Sequence, residues 1–243
     1  MRPFELQYVT LEPFLLPLHR LVRQRLLKFA RDLGGRPAIL DVGGRKSHYT
    51  IGIPADITLM DLPRETEVQE GLGLGINQAI VQQIYARRSN VRSVLVDDMA
   101  RTRLPDASFD LVIAVEVLEH VEDDALFVRQ VHRVLKPGGI FFMTTPNGDF
   151  VKNASNPDHR RHYTRSQLRD RLAECFGPVE VEYAVADGRF RNWGLNSWSP
   201  RHPFQTLASM VGNFVNWRQS ARAGTKERAI GTHNLVATAR KVG

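Results

Sequence analysis

Short apolar runs alternate with helix-like patterns between residues 91 and 150. Residues 111–115 form a continuous apolar, β-branched run, which is typical of a strand buried on both faces. Apolar positions then recur at helical spacing over residues 127–135, and Lys136-Pro137-Gly138-Gly139 ends that helix because proline and glycine stop it. Residues 140–145 are the next strand. This alternation predicts a parallel sheet with helices packed on its faces.

The same patterns continue on both sides of this region. Residues 38–41 and 57–62 predict the first two strands, and residues 18–30 predict an amphipathic helix that ends before Gly34-Gly35. Asn77 and Thr164 are predicted helix caps. Residues 179–186 and 233–240 predict the sixth and seventh strands. Between those two strands, residues 187–232 hold all three tryptophans and a helix with one apolar face that begins after Pro203.

Acidic residues lie at or just after the ends of several predicted strands, at Asp41, Asp61, Asp98 and Glu116. Ligands of open parallel sheets bind at the carboxyl ends of the strands. We therefore expect the functional site at that edge of the sheet.

Three further motifs follow Asp98 in order. They are Leu-Pro-x-x-Ser-Phe-Asp-x-Val at residues 104–112, Leu-Glu-His-Val at 118–121 and Leu-Lys-Pro-Gly-Gly at 135–139. Together they resemble class I S-adenosylmethionine-dependent methyltransferases, in particular the small-molecule, methyltransferase type 11-like group, over residues 36–185. The resemblance implies an α/β fold: a Rossmann-like, doubly wound sheet of seven strands in three α/β/α layers, with an antiparallel last strand. It also implies S-adenosylmethionine as the methyl donor and S-adenosylhomocysteine as the product.

The family's glycine loop reads Asp-x-Gly-x-Gly-x-Gly. Here Asp41, Gly43 and Gly44 are the predicted cofactor-binding residues, while Arg45 and Ser47 stand where two glycines are expected. Asp61 comes only 20 residues after Asp41 (61 − 41 = 20), so the helix that usually follows the loop must be very short or absent. Two interpretations stay open. Either Gly44 replaces the missing glycine and a shortened loop still binds the cofactor, or binding has decayed; the remaining acidic residues favour the first.

The resemblance assigns further cofactor contacts. Asp61 can accept hydrogen bonds from both ribose hydroxyls, and Asp98 can accept one from the adenine amino group. Leu62 and Met99 are predicted to pack against the adenine ring. Val115 and Glu116 are the remaining predicted cofactor-binding residues.

Methyl transfer needs an aligned acceptor and, for a hydroxyl acceptor, a base. The predicted catalytic residues are His159, His120 and Tyr163, with His159 as the preferred base. Residues 159–164 resemble the family's His-x-Arg-x-Tyr-Thr, which borders the substrate pocket. A purely structural role for this loop is the alternative.

Glu116, Glu119 and His120 also match the Glu-x-x-Glu-His spacing of ubiquinone-pathway O-methyltransferases and small-RNA 2′-O-methyltransferases, where it is associated with a divalent metal. Carboxylates and imidazole suit such an ion. We expect no metal here, because Leu-Glu-His-Val also occurs in metal-free relatives; a bound cation is the alternative.

The composition limits the cellular compartment and the kinds of partner that we expect for this protein. The chain has 243 residues, a net charge of +7 and a single cysteine, Cys175, which excludes an internal disulfide and suits a reducing compartment. No signal-peptide core and no apolar run of ~18 residues occurs. We expect a cytoplasmic protein. Basic residues are spread along the chain apart from a run at 159–171, so nucleic acid is not the expected partner.

We expect residues 1–35 to form an N-terminal helical cap and residues 36–243 to form the methyltransferase domain, with residues 187–232 inserted between its last two strands. That insertion is an outer helix or lid, a peripheral membrane contact, or a homodimer interface. The predicted acceptor is a small molecule, methylated at a hydroxyl of a sugar, lipid-linked or phenolic compound. The alternatives are an RNA or protein methyltransferase and a non-catalytic cofactor-binding protein. A nicotinamide oxidoreductase is disfavoured, since Gly-x-Gly-x-x-Gly is absent after the first strand.

Overall fold

One mixed sheet of seven strands organises the chain. A computed structural model describes residues 1–64, 75–151, 158–196, 198–222 and 224–243. The strands, which occur in the spatial order β3-β2-β1-β4-β5-β7-β6, are β1 (Ala38–Val42), β2 (Asp56–Asp61), β3 (Val91–Val96), β4 (Phe109–Val115), β5 (Leu135–Pro146), β6 (Val179–Ala186) and β7 (Thr232–Arg240). Strands β1 to β5 pair in parallel, and β7 is antiparallel to both β5 and β6. The predicted Rossmann-like sheet with its antiparallel last strand is confirmed.

Helices cover both faces of this sheet. They are α1 (Pro3–Thr10), α2 (Pro17–Leu33), α3 (Gln78–Arg87), α4 (Asp124–Val134), α5 (Arg165–Ala173), α6 (Arg191–Gly194) and α7 (Pro203–Arg222). Neighbouring residues of a strand point to opposite faces, so Leu40 and Phe141 pack towards α4 and α5, while Ile39 and Phe142 pack towards α2 and α3. This two-sided burial explains why the central strands read as continuous apolar runs.

Local capping fixes the helix starts as the sequence predicts. The Asn77 side chain accepts a hydrogen bond from the Ile80 amide, and Thr164 forms a capping box with Gln167. The region after α4 differs from the prediction, because β5 begins at Leu135 and not at residue 140. The pairing with β4 then shifts between Phe109 and Leu111, so that residues 136–139 bulge out of the ladder.

The segment between β6 and β7 leaves and re-enters the sheet at one edge. Because β7 is antiparallel to both neighbours, β6 runs in the same direction as β5, and Ala186 pairs with Thr232. Residues 187–232 therefore emerge at the carboxyl edge of the parallel strands. None of the helices in the described ranges is long and apolar enough to cross a membrane.

Candidate active site

The carboxyl ends of four adjacent strands form one edge. In the order β3-β2-β1-β4, Val96 pairs with Asp61, Met60 with Val42, and Val42 with Ala114. Thus Asp98, Asp61 and Leu62, the glycine loop, and Val115 with Glu116 follow neighbouring strand ends. The structure brings together the segments that the sequence predicts to hold the cofactor. The predicted connection at residues 65–74 lies outside the described residues.

The glycine loop is compact. Its helix is a single 3₁₀ turn at Gly44–Lys46, which agrees with the expectation of a very short one. Gly43 has φ 71°, a left-handed conformation that favours glycine, and a Cβ there would lie 2.8 Å from Cγ2 of Val117. A Cβ on Gly44 would lie 2.8 Å from Cγ of Asp41 and 2.8 Å from Cδ2 of Leu59. Both positions require glycine, although for different reasons.

Asp41 faces into the protein beneath this loop. Its fully buried carboxylate accepts hydrogen bonds from the Ser47 hydroxyl and, at 3.2 Å, from the Thr50 hydroxyl. Arg88 donates to the Thr50 hydroxyl at 2.6 Å. Burial raises the pKa of Asp41 to about 6, against the opposing effects of Ser47, Arg88 and Thr50. The carboxylate therefore holds the loop in shape.

Asp61 and Leu62 lie on the open side of the loop. The Asp61 carboxylate accepts from the Leu62 amide at 2.9 Å and from the Arg45 amide at 3.3 Å. The Leu62 side chain is 51% exposed. Nη1 of Arg45 is buried and has no hydrogen-bond partner among the described residues. This side of the loop thus offers a carboxylate, an apolar surface and a guanidinium.

Asp98 and Met99 differ in their exposure. The Asp98 side chain is exposed and accepts a hydrogen bond from the Ala100 amide at 2.9 Å. Met99 is only 2% exposed and packs in the core with α4. The contact of the buried Met99 side chain with the adenine ring stays a prediction.

Two acidic side chains lie at the end of β4. Glu116 has φ 54°, which is rare for a residue with a side chain, and accepts a hydrogen bond from the Thr144 hydroxyl at 2.8 Å. Glu119 is fully buried; Oε2 accepts from the Thr145 hydroxyl at 3.1 Å, while Oε1 has no partner among the described residues. Burial raises the pKa of Glu116 to about 7, and burial and the neighbouring Glu116 raise the pKa of Glu119 well above its usual value.

Three histidines meet beside these carboxylates, and their hydrogen bonds fix the tautomers. Nδ1 of His162 lies 2.9 Å from the Val151 carbonyl, which can only accept, so His162 carries its proton on Nδ1. In the tautomer with a proton on Nδ1 alone, Nε2 of His162 accepts from Nδ1 of His159, 2.9 Å away. This leaves Nε2 of His159 with a lone pair. Burial, His120 and His162 lower the pKa of His159, which keeps the imidazole neutral at neutral pH.

His120 stands against this pair. Its ring lies 4.8 Å, centroid to centroid, from the His159 ring, and its Nδ1 donates to the Asp158 carbonyl at 3.0 Å. One ligand atom from each of Glu119, His120 and His159 lies within 4.8 Å of the other two. These three side chains fit a divalent cation, and the unpartnered Oε1 of Glu119 supports that fit.

Tyr163 points elsewhere. Its hydroxyl donates to Asp124, which also pairs with Arg161 at 2.7 Å, and burial and Asp124 raise the pKa of the phenol. This contact ties the loop at residues 158–164 to the start of α4. The catalytic role of Tyr163 stays a prediction, since its hydroxyl is already engaged.

Sequence comparison identifies the family. Residues 52–143 match the family model described as "Methyltransferase domain". A protein of Mycolicibacterium smegmatis, described as a "Probable S-adenosylmethionine-dependent methyltransferase", is 34% identical over 201 residues, which cover 81% of this chain and 70% of that protein. The chain belongs to the S-adenosylmethionine-dependent methyltransferases.

One further relative by sequence and one solved structure are also similar to this methyltransferase. The ubiquinone biosynthesis O-methyltransferase of Xanthomonas oryzae pv. oryzae is 36% identical over 137 residues, covering 54% of this chain and 52% of that protein. Our chain thus matches only about half the length of that relative. A methyltransferase structure from Archaeoglobus fulgidus has a TM-score of 0.58 at 16% identity, covering 92% of this chain and 94% of the other, which supports the fold alone.

Some residues of the candidate site were not predicted from the sequence. Ser47, Thr50 and Arg88 build the support of Asp41, and His162 fixes the tautomer of His159. Ser47 stands at an expected glycine, and that departure was the one available signal. The distance of Arg88 from the loop along the chain, 41 residues beyond Ser47, leaves no local pattern to read.

Proposed function

We propose that this methyltransferase methylates a hydroxyl oxygen of a small molecule, namely a sugar, lipid-linked or phenolic compound. The observation that carries the proposal is the lone pair that His162 leaves on Nε2 of His159, at the edge where the cofactor segments meet. A hydroxyl acceptor needs such a base, whereas an amine with a free lone pair does not. The similarity to a protein named as an O-methyltransferase supports the same choice.

The cofactor-binding residues divide into two groups. Asp61 would accept from the ribose hydroxyls, Asp98 from the adenine amino group, and Leu62 would pack against the adenine ring. Asp41 would act indirectly, by holding the glycine loop in place. Gly43 and Gly44 would allow the loop backbone to approach the cofactor. Val115 and Glu116 would contact the cofactor from the end of β4. The buried Nη1 of Arg45 suits a ligand carboxylate, which S-adenosylmethionine carries.

The histidines would handle the proton. When bound, S-adenosylmethionine supplies an activated methyl group on its sulfonium. Nε2 of His159 would take the proton of the acceptor hydroxyl as that oxygen is methylated. Gly43 contacts Val117, three residues before His120, so the histidine cluster adjoins the glycine loop. His162 would position His159 by accepting a hydrogen bond from its Nδ1–H.

A divalent cation is the second candidate at the same place, favoured by the convergence of Glu119, His120 and His159. It would supply Lewis-acid stabilisation of the acceptor oxygen, and His159 would then act as a ligand. Titrating Mg²⁺ and Mn²⁺ into chelator-treated protein, with the thermal midpoint as readout, distinguishes the two. A midpoint that rises in the wild type but not in Glu119→Gln indicates the cation, whereas an unchanged midpoint favours the free base.

We also propose that residues 1–35 act as a cap on the domain and that the insertion at 187–232 makes its surface contact, either to lipid or to a second copy. The packing of α7 against the N-terminal segment supports this division. The side-chain amide of Asn213 donates to the Phe14 carbonyl at 3.1 Å.

The decisive experiment is calorimetric titration with S-adenosylhomocysteine. Asp61→Ala and Asp98→Ala should each weaken binding by roughly tenfold or more, since each loses a hydrogen bond to a charged group. Asp32→Ala, an exposed carboxylate of α2, is the matched control. Methyl transfer from labelled S-adenosylmethionine to a panel of phenols and sugars follows. Transfer to amines but to no hydroxyl would refute the proposed acceptor class.

A further inference from the structure

Helix α7 is oriented with its apolar side outward. The exposed fractions are 86% for Phe204, 58% for Leu207, 48% for Val211 and 36% for Phe214. The spacing of three, four and three residues places these side chains on one stripe of the helix, which we call the α7 stripe. The buried residues of the same helix are instead polar or small; they are Ser209, Gly212, Asn213 and Asn216.

This orientation is fixed by specific bonds. The Ser209 hydroxyl accepts from the Trp198 indole at 3.1 Å. Its Oγ lies 3.1 Å from the Gly194 carbonyl oxygen and 3.0 Å from that of Asn196, so its hydrogen can be donated to either. Asn213 is bonded to the Phe14 carbonyl, as described above. A Cβ on Gly212 would lie 3.0 Å from the Phe190 carbonyl, so α6 and its approach pack directly on the helix backbone. Turning α7 to bury its stripe would break these contacts.

Charge around the stripe is one-sided. Residues 187–232 contain seven arginines and lysines against two acidic residues, and α7 itself has no acidic residue. In the described part of the chain, Arg201, Arg218 and Arg222 form no ion pair, and the Arg218 guanidinium lies 5.9 Å from the Phe214 ring centroid. Both acidic residues are engaged, Asp187 with His233 and Glu227 with Arg165.

We propose that the α7 stripe docks on the surface of a membrane that contains anionic phospholipid. Apolar side chains would enter the region between headgroups and acyl chains, and the flanking arginines would pair with phosphates. A second copy fits less well, because a two-fold contact through this stripe would bring the same unpaired cations together. The inference goes beyond the proposed acceptor and does not depend on it.

Docking would have a geometric consequence for the site. The insertion emerges at the carboxyl edge of the sheet, which also carries the glycine loop and the histidine cluster. A bilayer held by α7 would therefore lie on the side of the molecule where the acceptor enters.

The test is sedimentation of the full chain with sucrose-loaded vesicles. We would compare pure phosphatidylcholine with phosphatidylcholine and phosphatidylglycerol at about 7:3, at low and high salt. Wild type should bind the anionic vesicles, and less so at high salt. Phe204→Glu/Leu207→Glu should lower the partition coefficient at least roughly tenfold. Val242→Glu, an exposed apolar position at the opposite edge of the sheet, is the matched control.

Arg218→Gln/Arg222→Gln tests the charges and, because neither side chain forms a hydrogen bond among the described residues, it remains informative if the first pair fails to fold. We expect a loss of roughly fivefold for each arginine, with Arg31→Gln as the exposed control on α2. The proposal would be overturned if the folded wild-type protein did not sediment with the anionic vesicles. A solution dimer that Phe204→Glu/Leu207→Glu dissociates would also overturn it, since it would assign the stripe to a second copy.

Discussion

Replacing Gly44 by alanine tests whether this residue compensates for the missing glycines. The new Cβ would lie 2.8 Å from atoms of Asp41 and Leu59, and neither can yield freely. Leu59 is fully buried, and the Asp41 carboxylate is held by Ser47 and Thr50. Relief of the clash must therefore displace the carboxylate and the loop above it.

The expected cost follows from three contributions. Overpacking costs ~1–3 kcal/mol, a weakened buried hydrogen bond costs ~1 kcal/mol, and the loss of glycine freedom in the unfolded chain returns ~0.4–1 kcal/mol. The net loss of unfolding free energy is about 1–4 kcal/mol. Urea unfolding, followed by tryptophan fluorescence, measures it.

Binding provides the functional readout. Gly44→Ala should weaken S-adenosylhomocysteine binding by at least roughly tenfold in calorimetry under conditions where the variant is folded. Gly34→Ala is the control: Gly34 has φ 73° and ψ 164°, which strains a residue with a side chain by ~1–3 kcal/mol, but its Cβ position is open, so no clash is added. It should bind like the wild type. If Gly44→Ala keeps both wild-type stability and wild-type affinity, the compact loop does not depend on this glycine.

Two further predictions concern histidines. His159→Gln should lower the rate of methyl transfer to a hydroxyl acceptor by roughly 10²–10⁴ while leaving S-adenosylhomocysteine affinity unchanged, as measured by label transfer and calorimetry; an unaltered rate would exclude it as the base. Burial and His48 lower the pKa of His19 to about 4, so the folded state holds it neutral while the unfolded state protonates near pH 6.5. The unfolding free energy is therefore unaffected by this group above about pH 7 and falls as the pH drops towards 4; at pH 5 the loss is ~2 kcal/mol. His19→Gln should flatten this pH dependence in urea unfolding, and parallel curves for variant and wild type would contradict the assignment.

The sheet was predictable because its determinants are local. The apolar run at residues 111–115 and the caps at Asn77 and Thr164 each depend on a few neighbouring residues. The sixth strand occupies the predicted residues, Val179–Ala186. Helix α1 was not predicted, since it is short and its stability depends on tertiary contacts such as that of Glu5 with Ser89.

For the candidate site, the sequence predicts which residues lie at the strand ends but not which way their side chains point. Strand ends place Asp61, Asp98 and Glu116 on one edge, but no sequence pattern shows that Asp41 faces inward towards Arg88. Likewise, helical spacing defines the apolar stripe of α7 without indicating whether it faces the core. Long-range hydrogen bonds decide both questions.

The pairing of Ala186 with Thr232 makes residues 187–232 a loop with closed ends, anchored on one rung of the ladder. The side-chain amide of Asn147 reinforces this anchor by donating to the carbonyls of Ala229 and Thr232. The segment between these anchors can therefore grow, shrink or change character while the register of the sheet stays the same. Such a segment is an exchangeable module, which evolution or protein engineering can replace without rebuilding the sheet.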